Sequence, residues 1–84
     1  MVKSTGNRVP RDEGALVQLG ARIRELRLLR DEAQDVFAWR AQVPRAHIGL
    51  IENGKIDIRY STLSRIAAAL GVSLSELLLF HVPS

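Results

Sequence analysis

The chain has no cysteine, which excludes both a disulfide scaffold and a thiolate metal site. Its two histidines, His47 and His81, are scattered and make no metal site either, so no metal and no cofactor is expected. No apolar run approaches the ~20 residues that span a bilayer, and the opening residues, Met1 to Thr5, lead into no hydrophobic signal region. A cytoplasmic protein is the expectation. No glycine-rich phosphate loop follows a strand, no alternating strand pattern is present, and no spacing brings a nucleophile, a base and an orienting group together. The chain is therefore not expected to be an enzyme. Lysine is scarce: apart from Lys3 and Lys55, every basic residue is an arginine.

What is present is an ordinary globular composition, 46% hydrophobic and 25% charged, in 84 residues. That length predicts one domain whose small core a partner chain could complete. Twelve Lys and Arg against nine Asp and Glu leave +3, a mild bias toward polyanions that carries weight only through where the charges sit.

The chain is organised around residues 34–55, QDVFAWRAQVPRAHIGLIENGK. Phe37, Ala38 and Ala41 form a narrow stripe of mostly small residues on one predicted helix. Pro44 disfavours helix at Val43 and is suited to the first turn of a new one, so the break falls at Gln42-Val43 and a second helix covers about 44–53. Ile48 and Ile51 face inward on it, while Arg45, Ala46, Gly49 and Leu50 face outward. Gly54 ends it in the left-handed conformation.

Scaffold elements flank this pair. Residues 1–11 combine Gly6, Asn7 and Pro10 with Lys3, Arg8 and Arg11 and read as a basic arm, either wrapped on DNA or simply solvated. The predicted domain is 12–84. Asp12 and Glu13 mark a helix start, and Leu16, Leu19, Ile23 and Leu26 make one face of a helix running to about residue 29 or 30. Ser61 or Thr62 is expected to cap a fourth helix, with Leu63, Ile66, Ala67 and Leu70 inward and Gly71 as its stop. Ser73 and Glu76 form an S-x-x-E capping box for a fifth, whose body is Leu77-Leu78-Leu79-Phe80.

In order along 19–78, the motif residues are Ile23, Leu26, Arg27, Gln34, Phe37, Ala38, Ala41, Val43, Ile48, Ile51-Glu52-Asn53-Gly54-Lys55, Leu63, Ile66-Ala67 and Leu70-Gly71-Val72. This set resembles a helix-turn-helix domain of the phage-repressor/Cro type, the XRE-like family. The resemblance implies an all-α fold, a five-helix bundle of the lambda-repressor-like helix-turn-helix type. It further implies a largely buried ion pair between Arg27 and Glu52, where the alternative is two solvated charges. By the same resemblance Gln34 bonds a DNA phosphate, and the base-reading places fall on Arg45, Ala46 and Leu50, with His47 and Gly49 beside them. Arg45 could bond guanine O6 and N7 together, or touch phosphate alone. Asn53, Lys55 and Arg59 would contact the DNA backbone. Leu77, Leu78, Leu79 and Phe80 would form a symmetric dimer contact, or else fold back on the first helix. The sequence departs from the family's pattern at Asp31-Glu32-Ala33, at Gln42 where a glycine is common, and at the apolar Ile56 and Ile58.

Two functions follow. The first is a sequence-specific DNA-binding transcriptional regulator, a homodimer reading a palindromic operator in double-stranded DNA through helix 44–53. The second is a protein-interaction module, such as an antitoxin that binds a toxin or another regulator. Val36, Trp39, Leu50, Ile56 and Ile58 support the second, as apolar residues at places expected to face outward, with Trp39 as its anchor.

Overall fold

α1 (Glu13–Leu29) begins where Asp12 accepts a hydrogen bond from the backbone N–H of Ala15 at 3.0 Å, a side-chain N-cap that satisfies one of the helix's orphan donors. Leu16, Leu19 and Ile23 are buried along one face and Arg27 continues that face. The chain turns through Asp31, whose φ of 57° is left-handed, and enters α2 (Gln34–Ala41). A second left-handed residue, Gln42 at φ 59°, separates α2 from α3 (Arg45–Glu52). Non-glycine residues in this region each cost on the order of 1 kcal/mol. The structure, a computed structural model, describes residues 12–80; the predicted arm, 1–11, and the last four residues of the predicted domain lie outside it.

α4 (Tyr60–Leu70) and α5 (Leu74–Leu77) complete the bundle, and no strand occurs among the described residues. α1 packs on α3 and α4, α2 packs on α3 and α4, and α5 rests on α4. Phe37, Ile23, Ile48, Ile51, Ile66 and Leu77 are fully buried where these helices meet. Burying such a side chain contributes about 1.5–3 kcal/mol, so these six hold the two central helices in one orientation.

Close approach of α1 to the end of α3 depends on Gly20. A Cβ there would collide with the backbone carbonyls of Ile51 and Glu52. Gly54 is under a double constraint: its φ is +68°, and a Cβ would lie 2.7 Å from the backbone of Val17. The two glycines together let α1 lie directly against the turn that leaves α3.

Arginines close the helix ends. Arg65 donates to the carbonyl of Ala41 at the end of α2, Arg30 to Leu70, Arg40 to Ala69, and Arg22 to Glu76 and Leu77. The last carbonyls of a helix lack intrahelical partners and carry the negative end of its dipole. Much of the arginine excess is therefore spent inside the fold.

Several boundaries differ from the sequence expectation. Pro44 is the N-cap of α3 and not its first helical residue. α4 starts at Tyr60 behind Arg59, so Ser61 and Thr62 lie within its first turn and neither caps it by a side-chain hydrogen bond. The Ser73–Glu76 capping box is present in both directions, at 3.1 and 2.9 Å. α5 nevertheless ends at Leu77, and Leu78, Leu79 and Phe80 lie beyond it. A single turn cannot carry four consecutive large apolar residues into one core: Leu77 is fully buried there and Phe80 partly, while Leu78 and Leu79 stay outside.

Candidate nucleic-acid interface

Glu52, the last residue of α3, turns inward. Its carboxylate accepts from Arg27 Nε at 2.7 Å and Nη2 at 3.0 Å, a fork-to-fork pair in which both residues are only 6% exposed. Arg27 Nη1 donates to the carbonyl of Glu32, next to the entry of α2. The bonded carboxylate raises the guanidinium pKa above its usual value, against the opposing effect of burial. The pair ties α1, the loop before α2 and the end of α3 into one rigid unit.

Gln34 joins this network, its Nε2 donating to Glu52 Oε1 at 3.0 Å. The amide is thereby oriented at the first position of α2. Arg45, the first residue of α3, places its Nε 2.8 Å from Asp35 Oδ1. The N-termini of α2 and α3 are thus adjacent and bridged.

α3 carries the outward face that its sequence pattern describes. Ile48 and Ile51 are buried, whereas Arg45, Ala46, His47 and Leu50 are exposed and Gly49 is half-buried. Asn53 is the C-cap, and its side-chain amide returns to the Gly49 carbonyl at 2.8 Å. Lys55 and Arg59 are exposed on the segment that follows, and a shallow cleft lined by Pro44, His47, Asp57 and Arg59 joins that segment to the start of α3.

Helix capping divides the molecule in two. α1 and α5 have side-chain N-caps, from Asp12 and Ser73. α2, α3 and α4 have none: Ala33, Pro44 and Arg59 precede them without a capping bond. Three helix starts with orphan N–H groups therefore surround the exposed face of α3, a disposition suited to anionic oxygens.

The sequence expectations meet the geometry unevenly. Gln34, Arg45, Ala46, His47, Gly49, Leu50, Asn53, Lys55 and Arg59 lie on or beside the α2–α3–α4 surface just described. Of the four residues expected at a dimer contact, Leu77 is fully buried within the chain and Phe80 is partly buried against the core. Leu78 and Leu79 remain outward, 45% and 72% exposed. Ile56 and Ile58 likewise pack against the core, which removes them from the apolar outer surface expected of an interaction module. Trp39 is 81% exposed on α2, with Val36 beside it also exposed. Asp35 and Gly20 went unread in the sequence. A glycine in mid-helix costs roughly 1 kcal/mol against alanine, which is the signal that could have marked Gly20 as a close approach; an exposed aspartate carries no such signal.

Among the described residues no cluster of His, Asp and Glu could hold a metal, and no helix is long and apolar enough to cross a membrane.

A turn-linked pair of short helices, the second exposed along one face and held from behind by the first, defines a helix-turn-helix reader of duplex DNA. Comparison with known proteins agrees, for residues 18–80 match the family model described as a helix-turn-helix domain, and the chain belongs to that family. It is 36% identical over 62 residues to the control protein C.MunI of Mycoplasma sp, covering 73% of this chain and 84% of that protein. The restriction-modification controller protein C.AhdI from Aeromonas hydrophila superposes with a TM-score of 0.72 at 31% identity, over 74% of this chain and 94% of that one. The clp gene regulator ClgR from C. glutamicum shares the fold, with a TM-score of 0.74 at 22% identity over 86% of this chain and 91% of its own. The protein is a DNA-binding transcriptional regulator of the XRE type and not an enzyme.

Proposed function

We propose that the protein is a homodimeric regulator that acts in the cytoplasm and reads a palindromic operator through α3. The observation that carries this is the exposed outer face of α3 amid three helix starts without side-chain caps. Phosphate oxygens at those starts, with Gln34, Asn53, Lys55 and Arg59, set the register on the duplex, and Arg45 bonds guanine O6 and N7. Ala46 and Leu50 make apolar contact with thymine methyl groups, with His47 and Gly49 at the margin. Leu78 and Leu79 supply apolar surface for the two-fold contact, which doubles the base pairs read. The names of C.MunI and C.AhdI support a narrower role, control of the genes of a restriction-modification system.

A second reading rests on Trp39. An indole this exposed, on the first helix of the pair beside the turn that leads to Pro44, marks a place for a protein partner such as a toxin or another regulator.

Selection from a random duplex library, followed by fluorescence anisotropy across a salt series, tests the main reading. The expected result is a two-fold-symmetric preferred site, bound in a strongly salt-dependent way and with its sequence preference reduced in Arg45→Ala. Binding without sequence preference at any salt would overturn it.

A further inference from the structure

We propose that Asp35 is a specificity-determining residue of the DNA-reading surface, acting through Arg45 by fixing the direction in which that guanidinium presents its donors. The proposal rests on α3 being the reading helix. Asp35 is the second residue of α2 and Arg45 the first of α3, ten positions apart, and their side chains meet across the turn at 2.8 Å. The aspartate bonds Arg45 through Nε alone. On the other side, Arg45 Nη1 lies over Gly49, 4.0 Å from where a Cβ at that position would stand. The guanidinium is therefore anchored at Nε by Asp35 and held at Nη1 close to Gly49 of α3, which leaves its two terminal nitrogens without a side-chain acceptor.

Both partners are exposed, with side-chain accessibilities of 54% for Arg45 and 79% for Asp35. An ion pair of this kind adds little to folding stability, so its consequence is orientation. An unrestrained arginine at the start of a helix can turn to any phosphate within reach, a contact without sequence information. With Nε occupied by Asp35, the remaining nitrogens point together, as bidentate bonding to O6 and N7 of one guanine requires. The negative charge of Asp35 also repels phosphate from that spot, so the pair discourages the register in which Arg45 would bind backbone. Docking on DNA removes water from around the pair and strengthens it.

The test is selection of preferred sites from a random duplex library with the wild-type chain, Arg45→Ala, Asp35→Ala and Asp35→Asn, followed by anisotropy on the selected site and on copies changed at single base pairs. Arg45→Ala identifies the base pair that Arg45 reads. Asp35→Ala is expected to lose discrimination at that same base pair, on the order of ten-fold, while its affinity for random duplex holds or rises and its thermal midpoint is unchanged. Asp35→Asn keeps an acceptor for Nε and is expected to retain most of the discrimination. Wild-type discrimination in Asp35→Ala would overturn the proposal. So would a loss confined to a base pair that Arg45→Ala leaves intact, which would make Asp35 a direct reader. An Arg45→Ala variant that loses no base preference would overturn it too, whereas a wild-type chain that selects no site at all would overturn the reading of α3 beneath it.

Discussion

Arg27 and Glu52 join α1 to the end of α3 through two hydrogen bonds, 2.7 and 3.0 Å, in a place where each is almost wholly withdrawn from solvent. Gln34 bonds the same carboxylate. One buried charge pair thus supports both the orientation of α3 and the start of α2.

Removing either partner leaves the other as an uncompensated buried charge. Arg27→Ala and Glu52→Ala are each expected to lose about 3–5 kcal/mol of stability, a large share of what a domain this small possesses. Urea melts followed by helical circular dichroism read this directly. Loss of less than about 1 kcal/mol in either variant would show that the pair behaves as a surface contact.

Two glycines should respond in opposite ways. Gly20→Ala places a methyl group against the carbonyls of Ile51 and Glu52, backbone that cannot move without shifting α3, and the variant is expected to unfold or melt far below the wild type. Gly49→Ala adds a methyl group in ordinary contact with Arg45 Nη1 and gains helix propensity of up to about 1 kcal/mol. It should fold at least as well as the wild type, with any change confined to DNA discrimination.

Acid should weaken the fold through identifiable carboxylates. Hydrogen bonds from Arg40 hold Glu32 below the usual carboxylate range, and the backbone N–H of Ser73 does the same for Glu76, with the Ser73 hydroxyl contributing. A group whose pKa is lower folded than unfolded adds stability above its unfolded value and loses it as pH falls through the folded one. The decline should begin near the ordinary glutamate value of about 4.3 and continue below it. Glu32→Gln and Glu76→Gln should melt below the wild type at neutral pH, and that gap should close in acid. A gap that persists unchanged would assign the loss to packing.

Leu77 and Leu79 adjoin the same turn but should behave differently. Leu77→Ala is expected to cost about 2–5 kcal/mol of stability, as a cavity in the core does. Leu79→Glu should leave the melt nearly unchanged and shift the chain toward monomer in analytical ultracentrifugation, with weaker binding to a palindromic site. An oligomeric state indifferent to Leu79→Glu would remove the dimer contact from this end of the molecule.

The amino-acid sequence determined the elements near the site most directly. Pro44 marks the turn, Ile48 and Ile51 mark the buried face of α3, and Gly54 and Gly71 stand at left-handed positions, because these are local constraints of backbone sterics and helical periodicity; at Asp31 and Gln42, where the sequence departs from the family's pattern, the positive φ is given by the structure alone. The capping box at Ser73 was legible for the same reason. How far α5 runs was not, since Leu77 to Phe80 are equally apolar and only the space left by α4 and α1 admits Leu77 and Phe80 while leaving Leu78 and Leu79 outside. Ile56 and Ile58 were likewise assigned to the core by their neighbours and not by their own pattern. The arginines illustrate the division most clearly: their number is a property of the composition, but which ones close helix ends, which one is buried on Glu52 and which one lies against Asp35 depends on residues up to 55 positions apart being brought together. Long-range pairing of charges leaves no periodicity in the chain, and it is settled only when the helices pack.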